Sequence, residues 1–236
     1  MTATTGPVAL VTGATRGLGR AIAEALASDH HVLVGGRDAG AVARVVSELP
    51  SASPFVADLT DAAATEEAVR GCVVPLGRLD VLVHNAGIAE RGRVADTPRD
   101  VWRRVLETDV VAVADLTRML LPLLRSSSGT LVAVNSGAGV RGYAGDAPYC
   151  AAKWALRGFT EVLREEERGR VRVTSVHPGR IDTDMQRALQ DQDGRPYDAS
   201  EHMDPADVAR AVRLAVDLPP GTSLDEVRVR TTVPLD

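Results

Sequence analysis

The sequence predicts an α/β fold: one domain built on a doubly wound parallel sheet of about seven strands, with helices on both faces. Three observations predict it. Short apolar runs such as Val8-Ala9-Leu10-Val11, and those over 79–83 and 131–134, read as strands buried on both faces. Helical patterns alternate with these runs along the chain, the rhythm of parallel strands joined by crossover helices. Polar or glycine-bearing stretches recur directly after the strands, on the sheet edge where such folds keep ligands.

In order, the first run leads into Thr12-Gly13-Ala14-Thr15-Arg16-Gly17-Leu18-Gly19 and then a helix over 20–27. Glycine lets the backbone approach a pyrophosphate, and a helix start offers free N–H groups and a positive dipole end. Strand two, 32–34, ends in Gly35-Gly36-Arg37-Asp38. Dinucleotide folds that take NAD usually carry an acid there, for the ribose 2′-hydroxyl. Gly36 and Arg37 stand in that place, and a guanidinium suits a 2′-phosphate. Arg16 is a second candidate cation for it. Asp38 reads as the N-cap of a helix over 39–49. Strand three, Phe55-Val56-Ala57, closes on Asp58-Leu59, and a helix follows over about 61–74. Strand four ends in His84-Asn85-Ala86-Gly87. A long helix is predicted over 98–124, with Asp109 inside it and Pro122 near its end. Strand five leads to Asn135-Ser136-Gly137. The next helix holds Tyr149 and Lys153 and runs to about 168, its Glu165-Glu166-Glu167 tail reading as a solvated face. Strand six, 171–176, ends in His177-Pro178-Gly179. The stretch 182–200 is polar and irregular, and reads as a flexible flap over a pocket. Asp204-Pro205 supplies N-cap and first turn for a helix to 218, and 227–229 is a last strand.

Bulk properties narrow the field. The 236 residues carry a net charge of -5 with no basic block, which argues against nucleic acid. No apolar run is long enough to span a bilayer. Residues 1–5 lack the pattern of a signal peptide, so a cytoplasmic location is expected. The two cysteines, Cys72 and Cys150, and the five histidines show no metal-ligand spacing, so no metal site is predicted.

Tyr149-Cys150-Ala151-Ala152-Lys153 carries the chemistry. A four-residue step on a helix puts both ends on one face. A phenol titrates near ~10, and a cation beside it favours the phenolate. At ~6 Å and an effective dielectric of ~20 the coupling is roughly 2.8 kcal/mol, about two pKa units. That brings the phenol towards the range useful for proton transfer.

With these motifs in order, the chain resembles the short-chain dehydrogenase/reductase family, of Rossmann type, over about 8–229. The carriers are the Thr12 to Gly19 turn, His84-Asn85-Ala86-Gly87, Ser136 thirteen residues before Tyr149, Tyr149 to Lys153, and Pro178-Gly179-Arg180-Ile181-Asp182-Thr183. The resemblance implies an oxidoreductase passing hydride between NADP(H) and a small carbonyl or alcohol. It implies Tyr149 as proton donor or base, Ser136 on the substrate oxygen, and Lys153 on the nicotinamide ribose. It implies Gly13, Thr15, Arg16 and Leu18 at phosphates and ribose, and Arg37 at the 2′-phosphate. Asp58 and Leu59 would lie at adenine, and Asn85, Ala86 and Gly87 behind the cofactor. Pro178, Gly179, Ile181 and Thr183 would lie along the nicotinamide, the last two at its carboxamide. One departure stands out: the family usually has asparagine where Asp109 falls, on the proton path near the lysine. An aspartate there is expected to oppose the field of Lys153 and shift the rate optimum to alkaline pH. The alternative is a non-catalytic dinucleotide-binding sensor or scaffold, against which Ser136, Tyr149 and Lys153 argue. The family also implies a homodimer or homotetramer packed through the 98–124 and 149–168 helices, with Ala151, Ala152 and Ala155 allowing close approach. The substrate wall is expected from 88–93, 137–143 and the flap, including Arg187, Gln190 and Arg195.

Overall fold

A computed structural model of the protein describes residues 6–192, 194 and 196–233. Seven parallel strands form one sheet: β1 (Val8–Val11), β2 (His31–Gly36), β3 (Ala52–Val56), β4 (Val81–His84), β5 (Thr130–Val134), β6 (Arg172–Pro178) and β7 (Glu226–Val229), in the order β3-β2-β1-β4-β5-β6-β7. The chain winds outward from β1 in one direction and from β4 in the other. The reversal between them opens a crevice at the carboxyl edge.

Side chains alternate across each strand and so divide the core. Ala9 and Val11 join Val34, Ile22, Val208 and Val212 on one face. Val8 and Leu10 join Leu33, Leu82, Leu116, Leu120 and Leu131 on the other. Helices α1 (Gly17–Leu26), α2 (Ala39–Glu48) and α8 (Pro205–Asp217) cover the first face, and α3 (Ala62–Ala68), α5 (Ala112–Ser126) and α6 (Ala147–Glu166) the second. Asp38, Asp61 and Asp204 cap α2, α3 and α8 by accepting from Ala41, Ala64 and Ala206 backbone N–H groups.

Several readings change. Strand β3 begins three residues before the predicted run, and only Phe55 of its side chains is buried. It is an edge strand, which is why Pro54 is tolerated in its ladder. The predicted long helix is α4 (Arg99–Leu106), a π-helical stretch (Glu107–Val111) and α5, with Pro122 inside α5 rather than ending it. The 182–200 stretch is not irregular throughout, since Asp184–Gln192 forms α7. Its run of Met, Gln, Arg, Ala and Leu is made of good helix formers. Glu167 is not on a solvated face: it is 1% exposed and accepts from Arg125 Nε and Nη2 at 2.8 and 2.5 Å. The Arg125 guanidinium holds that carboxyl below the usual glutamate range against the opposing effect of burial.

Candidate active site

A cleft of about 1220 Å³ runs along the carboxyl edge of the sheet. Its walls begin at the β1–α1 turn. Gly13 adopts φ +64°, a left-handed backbone suited to glycine. Gly19 packs so closely that a Cβ on it would sit 2.1 Å from the Gly13 carbonyl oxygen. Asn85, at the end of β4, ties this turn down: its Nδ2 donates to the carbonyls of Thr12 and Gly13 at 3.0 and 3.1 Å. Thr12 Oγ1 returns the favour by accepting from the Asn85 and Ala86 backbone N–H groups, both at 3.0 Å. The start of α1 therefore faces open space with its first N–H groups free of intrahelical partners, a cradle fitted to phosphate.

Around this cradle the structure brings together Thr15, Arg16, Leu18, Arg37, Asp58, Leu59, Ala86 and Gly87 as lining residues. The Arg37 guanidinium has no carboxylate partner among the described residues and helps hold the Asp58 carboxyl low, behind the larger effect of hydrogen bonds from Thr60. Arg16 behaves differently. Exposed, it lies 3.6 Å from the equally exposed Asp184 of α7. Pro178, Gly179, Ile181 and Thr183 line the middle of the cleft. The Thr183 methyl reaches over the turn, 3.3 Å from where a Cβ on Gly17 would be.

The proton-handling groups lie beyond. Helix α6 carries Tyr149 and Lys153 on its cleft side, and Lys153 Nζ stands 5.5 Å from the centre of the Tyr149 ring. Lys153 is buried, and Nζ donates to the Val134 carbonyl at 3.4 Å. Asp109, wholly buried in the π-helical stretch, offers two oxygens. Oδ1 accepts from the Ile88 backbone N–H at 2.8 Å, and Oδ2 lies 3.0 Å from Lys153 Nζ as an ion pair rather than an aligned hydrogen bond. Burial alone would lower the lysine, but Asp109 and Tyr149 outweigh it and hold the ammonium above its ordinary value. Ser136 follows β5, and its Oγ accepts from the Ala138 N–H at 3.1 Å. Its carbonyl lies 3.2 Å from Nδ1 of the buried His177, whose Nε2 meets Ser175 Oγ at 3.0 Å. The sequence reading named His177 as the end of strand six and gave it no role; here it supports the Ser136 backbone.

At the far end the walls are Ile88 to Arg93 on one side and Gly137, Ala138 and Tyr143 on the other. Of the three flap residues, Gln190 lines the cleft and is buried. Arg187 turns back on its own segment, 2.6 Å from Asp182 and over the Tyr197 ring at 4.2 Å. Arg195 lies outside the described residues. Arg230, just past β7, also lines this end and went unread.

Known proteins match this arrangement. The 3-oxoacyl-(acyl-carrier-protein) reductase FabG of Escherichia coli K12 is 35% identical over 190 residues, covering 79% of this chain and 78% of that one. An actinorhodin polyketide ketoreductase structure with NADPH superposes with TM-score 0.87 at 28% identity, covering 95% and 96% of the two chains. An alcohol dehydrogenase from the archaeon Thermococcus sibiricus, complexed with 5-hydroxy-NADP, superposes with TM-score 0.88 at 25% identity over 98% of each chain. Residues 7–194 match the family described as short chain dehydrogenase, and the chain therefore belongs to the short-chain dehydrogenases, oxidoreductases that use a nicotinamide cofactor.

Proposed function

We propose that the protein is an NADPH-dependent carbonyl reductase, working in reverse as an alcohol dehydrogenase. The observation that carries this reading is the buried Lys153 ammonium 5.5 Å from the Tyr149 ring in the same cleft as Ser136. A fixed cation beside a phenol stabilises the charge that appears when the proton leaves. The Ser136 hydroxyl donates a hydrogen bond to the substrate oxygen, and the Tyr149 phenol gives that oxygen its proton. The hydride for the carbonyl carbon would be supplied by a bound NADPH. Lys153 holds the nicotinamide ribose, and Asp109 anchors Lys153.

The cofactor-facing residues fit NADP(H). The Gly13–Gly19 packing has no room for side chains where a pyrophosphate would approach, and among the described residues Arg37 pairs with no carboxylate where a 2′-phosphate would lie. The polyketide ketoreductase and archaeal dehydrogenase neighbours, each with a bound NADP-type nucleotide, support the same choice. Likeness to a 3-oxoacyl reductase puts 3-oxo compounds first among substrates.

We read residues 1–236 as one domain, with α7 walling the substrate end. Trp154 and Val162 on α6 and Val111 at the α4–α5 junction are exposed large apolar residues, which supports a homodimer or homotetramer. Ala151 and Ala155 fall on the same exposed side, but Ala152 is buried inside the subunit and cannot serve there. No helix among the described residues is long and apolar enough to cross a membrane, which fits a cytoplasmic enzyme.

The test is cofactor oxidation against a panel of 3-oxo esters, 3-oxo thioesters, aldehydes and ketones, with NADPH and NADH side by side. Carbonyl-dependent loss of NADPH absorbance, faster than that of NADH, is expected. NADPH binding without turnover on any member would favour a sensor instead.

A further inference from the structure

The arginines lining the cleft divide sharply by their partners. Arg16, Arg91, Arg93 and Arg180 each face a carboxylate, at 3.6, 3.1, 4.0 and 3.3 Å. Two do not. Arg37 stands at the adenosine end, where the cofactor reading already employs it. Arg230 stands at the other end, at the carboxyl edge beyond β7, and no carboxylate lies against it among the described residues.

Arg230 is also held in place. Its Nη1 donates to the His177 carbonyl at 2.5 Å and to the Val229 carbonyl at 2.9 Å. Those acceptors are neutral, so the cation is oriented without being neutralised. The second nitrogen, Nη2, comes 3.4 Å from where a Cβ on Gly137 would sit, and the Tyr143 hydroxyl comes 3.5 Å from the same point. Gly137 follows Ser136 directly, and adjacent Cα atoms lie about 3.8 Å apart. A guanidinium edge and a phenol therefore converge on the residue beside the one that receives the substrate oxygen. Oriented guanidinium N–H groups are the preferred partners of a planar carboxylate.

We infer that Arg230 is the anion-recognising residue of the substrate end, and that the preferred substrate is an oxo acid, or the matching hydroxy acid, with its carboxylate a few bonds from the reacting carbonyl. Tyr143 supplies a second donor to that carboxylate. This inference rests on the carbonyl-reductase reading for the identity of the reacting group, but the anion site itself does not.

The test separates the two. Calorimetry on the NADP⁺-saturated protein compares 4-oxopentanoate with its neutral methyl ester. A hydrogen bond to a charged group is worth about 1.5–3 kcal/mol, so the wild type should bind the acid about 10-fold more tightly or better. Arg230→Gln should erase that preference, and Arg230→Lys should keep part of it. Reduction of the same pair, and of 3-oxobutanoate against its neutral N-acetylcysteamine thioester, should show the same ratios in kcat/KM. Equal binding of acid and ester by the wild type, or a preference that survives Arg230→Gln, overturns the inference. An acid preference that depends on Arg230 in a protein reducing none of these compounds leaves the anion site standing and overturns the reductase reading. Should Arg230→Gln fail to fold, Arg230→Lys and the wild-type ratios decide: a lysine variant indistinguishable from wild type on both compounds also counts against bidentate recognition.

Discussion

Replacing Asp109 with asparagine removes one charge from the most closely coupled groups in the cleft. The Lys153 ammonium lies 5.5 Å from the centre of the Tyr149 ring and 3.0 Å from Asp109 Oδ2. At an effective dielectric of about 20, the ammonium favours a negative charge at that ring by about 3 kcal/mol. Laid end to end, the two distances put Oδ2 within about 8.5 Å of the ring centre, so the carboxylate opposes the same charge by at least about 2 kcal/mol. Asp109 thus cancels more than half of the help that Lys153 gives. Asp109→Asn should move the alkaline rise of alcohol oxidation with NADP⁺ towards acid by about 1.4 pH units, the equivalent of about 2 kcal/mol. The assay is kcat/KM across the pH range, with thermal melting to check the fold. That check matters because the asparagine would turn an amide N–H₂, a donor, towards either the Ile88 N–H or the Lys153 ammonium, where the carboxylate offers an oxygen to each. A profile superimposable on that of the wild type would refute the electrostatic reasoning.

Two further outcomes follow from the geometry. Arg37→Gln should lower the ratio of kcat/KM for NADPH over NADH by about tenfold or more, because a charge-assisted contact to the 2′-phosphate is lost; an unchanged ratio would place that phosphate elsewhere. His84 is buried beside Thr117, 2.8 Å from its hydroxyl, and burial pushes its imidazole down to about 3. In the unfolded chain it titrates near about 6.5, so between these values the unfolded state binds more protons and stability falls as pH falls, by up to about 1.4 kcal/mol per pH unit. Urea unfolding at successively lower pH should show the loss, and His84→Gln should flatten it. An identical slope in the variant would assign the acid sensitivity to other groups.

The sheet was legible because strands buried on both faces are written as apolar runs, and β1, β4 and β5 match those runs to within about two residues. The cradle was legible because its glycines are dictated by backbone contacts as short as that between Gly19 and Gly13. What escaped the reading depends on partners distant in sequence. Glu167 reads as one acid in a run of three until Arg125, forty-two positions earlier, is seen to cover it. The π-helical stretch at Asp109 is a shift in backbone hydrogen bonding that residue types alone do not announce, and its one buried residue is a carboxylate. In α7 the one buried residue is Gln190, so no buried apolar side chain marks a core-facing side. Arg230 sits after a four-residue strand whose side chains are only partly buried, and its meaning appears only when β7 lies beside β6 and brings it to Gly137.

The central claim is that the Tyr149 phenol hands a proton to the substrate oxygen as hydride reaches the adjoining carbon. Single-turnover oxidation of bound NADPH by a reducible oxo compound, in the wild type and in Tyr149→Phe, tests it most directly. The account predicts NADPH bound by both proteins and a step slowed about 10²–10⁴-fold in the variant. A phenylalanine variant that turns over at the wild-type rate would contradict it.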